Sequence, residues 1–148
     1  MTRFFVILIL MASFLSGCAS TNSHPIEFHT TTNASFTINS DQFDTIDIQS
    51  SEIQLWQGSD LVGSIMTIQT NPDYQSAIKE VEEGFIEAQR GPGEPHELAL
   101  PDGAYGFSVS FGGHTTAFIA VHNQPESWLT ISTRDALFEE ILSSIVIE

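Results

Sequence analysis

Cys18 is the only cysteine among the 148 residues, so no intrachain disulfide can form and the fold must hold by packing alone. It follows Arg3 and an apolar run over residues 4–15 that is broken only by Ser13. That run is too short to cross a bilayer, which takes about 20 apolar residues. A basic start, an apolar core and small residues before a cut are the order of a secretory signal. Removing residues 1–17 leaves 131, enough for one compact domain with a real core but thin for two. The expected organisation is a signal peptide over 1–17, a polar linker over 18–25 and one domain over 26–148.

Leu15-Ser16-Gly17-Cys18 resembles the lipobox of bacterial lipoprotein precursors: a Leu, two small residues and a Cys that becomes the mature N-terminus. The resemblance implies that Cys18 is diacylglycerylated on sulfur, cut by signal peptidase II and acylated again on its new amine. Two or three acyl chains hold a protein stably to a membrane where one does not, at about 0.8 kcal/mol per buried CH₂. The thiol is then consumed, even in an oxidising compartment. Ala19 stands where lipoproteins retained at the inner membrane carry Asp, so the resemblance favours the outer membrane. The linker reaches only about 25 Å when extended, which keeps the domain near its membrane.

Charge narrows the partners. The formal net charge is −15, and once Arg3 is cut away only Lys79, Arg90 and Arg134 oppose 19 Asp and Glu. Nucleic-acid binding draws on clustered Lys and Arg, and there is no such cluster. Lying flat on an anionic lipid surface is disfavoured unless divalent cations bridge the two, since like charges within a Debye length repel. Solvated acidic faces suit a salty habitat, while a basic partner is the more specific alternative.

Within 26–148 the hydrophobic period alternates between two kinds. Phe36 and Ile38, Ile46 and Ile48, then Ile53 and Leu55 recur at period two, the mark of strands. Gln57-Gly58-Ser59-Asp60 supplies a turn before a strand over 61–69, with Val62, Met66 and Ile68 facing one way and Leu61 and Ile65 the other. Asn71-Pro72 predicts a helix start. Tyr74, Ala77, Ile78, Val81, Phe85 and Ala88 then form a buried stripe, with Glu80, Glu82, Glu83 and Glu87 mostly away from it. A polar loop is expected from Gly91 through Glu97. Tyr105, Phe107, Val109 and Phe111 alternate into a hairpin turn at Gly112-Gly113. Returning strands cover 115–121 and 127–132, separated by a turn at Asn123-Gln124-Pro125-Glu126. Ser132 and Asp135 have capping-box spacing before a second helix that buries Leu137, Phe138, Ile141 and Leu142. Ile145-Val146-Ile147 is expected to close the domain as an edge strand. The fold class is therefore α+β: an antiparallel β-sheet with two packed helices, at about 72–90 and 133–144.

This order of elements is similar to that of the PsbP and DcrB-like fold group. The matching pieces are Phe36-Thr37-Ile38, the helix from Pro72, the meander through Trp128-Leu129-Thr130-Ile131-Ser132, and the close over residues 138–145. The group holds photosystem subunits, import factors and bacterial lipoproteins, so it implies a fold and no single function. No site residue carries over from it.

Catalytic signatures are sparse. No Gly-x-Ser-x-Gly occurs, and a hairpin turn accounts for Gly112-Gly113-His114-Thr115 without an oxyanion hole. Paired carboxylates are too abundant to single out. His24, His29, His96, His114 and His122 lack metal-ligand spacing, and Asp41, Asp44 and Asp47 miss the ordered spacing of a calcium loop. Gly91-Pro92-Gly93 follows a helix and so has the wrong polarity for phosphate capture. Trp56 and Trp128 mark either a contact surface or half-core positions. Neither a catalytic residue, a cofactor nor a metal ligand is assigned, and Cys18 is the one modification site. The expectation is a lipoprotein anchored to the outer membrane, with a non-enzymatic domain that binds an envelope partner or supports an assembly. The alternatives are a periplasmic hydrolase and a small-ligand or cation-binding module.

Overall fold

A computed structural model describes residues 24–39 and 41–148, so the signal segment, Cys18 and the linker up to residue 23 lie outside the described residues. The order is β1 (Pro25–His29), β2 (Ala34–Asn39), β3 (Thr45–Ile48), β4 (Glu52–Gln57), β5 (Asp60–Gln69), α1 (Ala77–Ala88), β6 (Glu94–Glu97), β7 (Ala104–Phe111), β8 (His114–Val121), β9 (Ser127–Arg134), α2 (Asp135–Ser144) and β10 (Val146–Ile147). Seven strands form one sheet in the order β3-β4-β5-β9-β8-β7-β6, and β1-β2-β10 form a second. Every pairing is antiparallel. The α+β class read from the sequence is the architecture observed.

Neighbouring residues of a strand point to opposite faces, and the buried residues separate accordingly. On β8, Ala117 and Ile119 join the main core, together with Leu129 and Ile131 of β9, Phe36 and Ile38 of β2, and Leu137, Phe138 and Ile141 of α2. Phe118 and Ala120 point the other way, into a smaller cluster with Phe107 of β7 and Ala77 and Val81 of α1. The large sheet is thus covered by the small sheet and α2 on one face and by α1 on the other.

The small sheet is fastened to α2 by side chains as well as packing. The Glu140 carboxylate accepts from the Asn39 backbone N–H at 2.7 Å and from the Asn39 side-chain amide. Ser144 accepts from the Thr37 N–H at 2.9 Å and donates to the Thr37 carbonyl at 3.0 Å.

Several local expectations are corrected. The first helix begins at Ala77, not at Pro72. Asn71 Oδ1 accepts from the Asp73 N–H at 3.0 Å and so closes an Asx-turn, while Ser76 caps the helix by accepting from the Lys79 N–H at 3.4 Å. Ser132 and Asp135 make no capping box: the Ser132 hydroxyl pairs with Thr116, and Asp135 accepts from Thr115 at 2.8 Å. Part of the expected polar loop is β6, an edge strand paired with β7. Pro25, placed in the linker, already pairs with Asn39. On β5, Leu55 faces Gly63 but Trp56 faces Leu61, so Val62 is an extra residue in a β-bulge. The bulge shifts the alternation. Val62 and Ile65 share the main core instead of facing apart, and Leu61 is left 42% exposed.

Candidate binding groove

Between α1 and the face of β7, β8 and β9 lies a groove of about 640 Å³. Its floor is built by strand register. Phe107 and Phe118 are directly opposed partners, and Trp128 opposes Ala120, which puts it diagonal to Phe118. The rings accordingly form a row: Phe107 and Phe118 stack at 4.7 Å, and Phe118 meets Trp128 at 5.9 Å, tilted by 46°. Phe85 of α1 extends the row, 5.4 Å from Phe107. Phe107 is buried, whereas Phe118 and Trp128 keep part of their surface open to the groove.

The wall is the helix. Its small residues Ala77, Val81, Gly84 and Ala88 lie toward the sheet, and the glutamates one step around, Glu80, Glu83 and Glu87, line the rim. Glu80 is half-buried. One of its oxygens accepts from Trp128 Nε1 at 3.2 Å and from the Asn71 N–H at 3.0 Å, which locks the indole against the wall. Glu87 pairs with Arg90 at 2.7 Å, with both side chains 70% exposed. Such a surface pair is worth little and exchanges readily. Glu83 is exposed, and its charge helps to raise the pKa of Lys79 one turn away. The lining contains neither Lys nor Arg.

On the other flank of α1, a second depression of about 410 Å³ runs past Tyr105. There the charge is paired internally: Lys79 donates to Glu82 at 2.6 Å, and this bond, with the carboxylate's charge, raises the Lys79 pKa above its ordinary value. Burial pushes the Tyr105 phenol up, helped by Glu97 and Glu82. The two flanks differ in that the groove presents open aromatic faces beside a line of three glutamates, while the nearest cations, Arg90 on Glu87 and Lys79 toward Glu83, stand outside its lining.

The residues singled out from the sequence fall as follows. Trp128 is the groove floor, while Trp56 is half-buried on β4, in neither core cluster. Gly112 and Gly113, at φ of 63° and 83°, make the tight β7–β8 turn. His114 and His122 sit at opposite ends of β8, about 26 Å apart at strand rise. His29 lies between Glu27 and Glu148 at 3.6 and 3.4 Å. Asp44 is used structurally, accepting from the Gly58 N–H at 2.7 Å. Among the described residues no three His, Cys, Asp or Glu gather as a metal cluster, and no helix is long and apolar enough to cross a membrane. The groove lining includes no Ser, Thr, His or Lys, and its one side-chain hydroxyl is the Tyr74 phenol.

No family model matches the chain, and no curated protein does either.

Gly84 gives a check on how α1 seats. A Cβ built there would meet the Phe107 ring at 3.6 Å, an ordinary contact. Gly84→Ala is therefore expected to stabilise the fold by about 0.5–1 kcal/mol through helix propensity. Thermal unfolding should show a rise of a few degrees; a fall would mean that the helix sits closer to the sheet than described.

Proposed function

We propose that the protein is a lipoprotein anchored to the outer membrane through Cys18, and that its domain is a non-enzymatic module that binds an envelope protein partner. The observation that carries the binding half is the groove, with half-open aromatic rings at its floor and three glutamates along a lining that holds no Lys or Arg. Exposed aromatic surface costs hydration free energy unless something covers it, and Trp is the residue most enriched where partners dock. The anchoring half is supported by Leu15-Ser16-Gly17-Cys18 and by the short polar stretch before β1. Membership of the PsbP and DcrB-like fold group belongs to the same proposal and rests on the order of elements.

The groove volume also falls within the range of small-ligand sites, roughly 300–1,000 Å³, which supports a cation-bearing small ligand as a second reading.

Cys18→Ser tests the anchor. The variant should be left uncut or soluble, read by fractionation and by the mass of the N-terminal peptide. A form that stays in the membrane fraction, correctly cut and extractable by detergent, would refute the lipobox reading. A photo-crosslinking residue at position 83 of the full chain tests the groove in cells, with position 48, on exposed β3, as the control. One recurrent envelope partner captured at 83 and not at 48 is the expected result. Equal capture at both sites, or none at 83, would remove the groove from the proposal.

A further inference from the structure

We infer that the groove selects a basic amphipathic segment: a stretch of a partner chain that lays apolar side chains on Phe118 and Trp128 and reaches Glu83 and Glu87 with Arg or Lys. This rests on the reading of the domain as a protein-binding module and names what that module recognises.

Charge complementarity carries the argument. Glu80, Glu83 and Glu87 rise along one line of α1 over about 10 Å, seven residues at 1.5 Å each. No Lys or Arg lines the groove; the nearest cations are Arg90, paired with Glu87 at its exposed end, and Lys79, which bonds Glu82 and also feels the charge of Glu83. Glu80 is committed to Trp128 and Asn71, so it fixes the floor and leaves Glu83 and Glu87 for an incoming cation. Arg90, bound to Glu87 at the exposed end, is a pair that an incoming guanidinium can replace at little cost. A second anion is disfavoured along the whole wall, which excludes acidic segments by repulsion as much as it admits basic ones.

The geometry favours a chain over a point cation. Side chains on one face of an extended segment recur about every 7 Å, so the wall spans two of them. Alternation places apolar residues down on the rings while basic residues on the other face bend to the rim, their stems lying along apolar surface. An Arg that passes over the Trp128 ring gains a cation–π contact before it reaches the carboxylates. The chain's net charge of −15 raises the rate of encounter with such a segment.

The test uses the full lipidated chain in phosphatidylcholine vesicles, with Trp56→Phe so that Trp128 is the only tryptophan left to report. Four probes are titrated: capped decapeptides of alternating Leu and Arg, of Leu and Glu, and of Ser and Arg, and the small cation spermidine. The expected result is a saturable change in Trp128 emission with the Leu-Arg peptide only. Its affinity should fall about tenfold or more in the Glu83→Gln/Glu87→Gln double variant, and fall again with salt. Both substitutions are isosteric and lie on the exposed side of α1, and circular dichroism checks that the helix remains.

Equal response to Leu-Glu would overturn the selection for cations while leaving the groove as an apolar docking surface. Equal response to Ser-Arg would show that the aromatic floor is not engaged, and overturns the inference from the other side. Spermidine binding as tightly as the peptide would replace a segment by a small ligand. No Trp128 response to any probe at millimolar concentration would overturn the inference, while a partner crosslinked at position 83 in cells would still uphold the groove as a protein-binding surface.

Discussion

Replacing Phe36 by Ala is expected to bring the protein close to unfolding, with a loss of about 3–5 kcal/mol. Phe36 is 1% exposed, sits on β2 and stacks on Phe28 at 5.5 Å, between the small sheet and the layer formed by α2 and the large sheet. The substitution removes a ring from a site whose surroundings are held by Glu140 and Ser144, so the walls cannot collapse freely onto the space left. The lost ring pair adds to the cost. Domains of this size hold only about 5–15 kcal/mol in total, so no other buried side chain needs to change for the urea midpoint to fall by a large fraction. A loss below about 1 kcal/mol would mean that the small sheet is not packed as described.

Gly106→Ala is expected to cost about 2–3 kcal/mol, although the same exchange at Gly84 stabilises. A Cβ at position 106 would stand 2.6 Å from the Phe118 carbonyl oxygen, with Leu100 at 3.0 Å and Ile119 at 3.2 Å behind it. The obstacle is the backbone of the next strand, and backbone cannot rotate away as a side chain can. β7 and β8 would have to part where Gly106 opposes Ile119. Paired urea titrations of the two glycine variants isolate this effect, because the added methyl group is the same in both. A neutral result at 106 would show that the sheet yields there at no cost.

Much of this architecture is legible in the residues. The Gly112-Gly113 hairpin follows from two adjacent glycines between alternating runs, and both take the positive φ that only glycine adopts freely. The closing strand is also readable, since Val146 and Ile147 have an apolar pattern too short for anything but an edge. Other features are hidden because a local signal has two structural solutions. Asn-Pro fits a helix start and an Asx-turn equally, and the carbonyl of Pro125, which takes the Ala77 N–H at 2.8 Å, helps to set the start of the helix. β6 carries Pro95 and no apolar alternation of its own, and it is a strand because β7 offers it an edge. Val62 breaks the period through a bulge that no residue type announces.

The groove was half visible. Trp128 stands out by type, and the glutamates by their helical spacing. Their meeting depends on which face of the sheet α1 covers, a choice made by packing over 48 residues of separation between Glu80 and Trp128. Periodicity says that Glu80 lies off the buried stripe, which is true; it does not say that the neighbouring surface is a tryptophan.

The alternation along β8 has a consequence for how such a chain can vary over time. Ala117 and Ile119 serve the large core, while Phe118 and Ala120, their immediate neighbours, face α1. Adjacent codons therefore serve two separate packed layers, one on each face of the strand. An insertion of one residue within β8 would exchange the two sets, turning Phe118 toward the large core and Ile119 toward α1, and would disturb both layers at once.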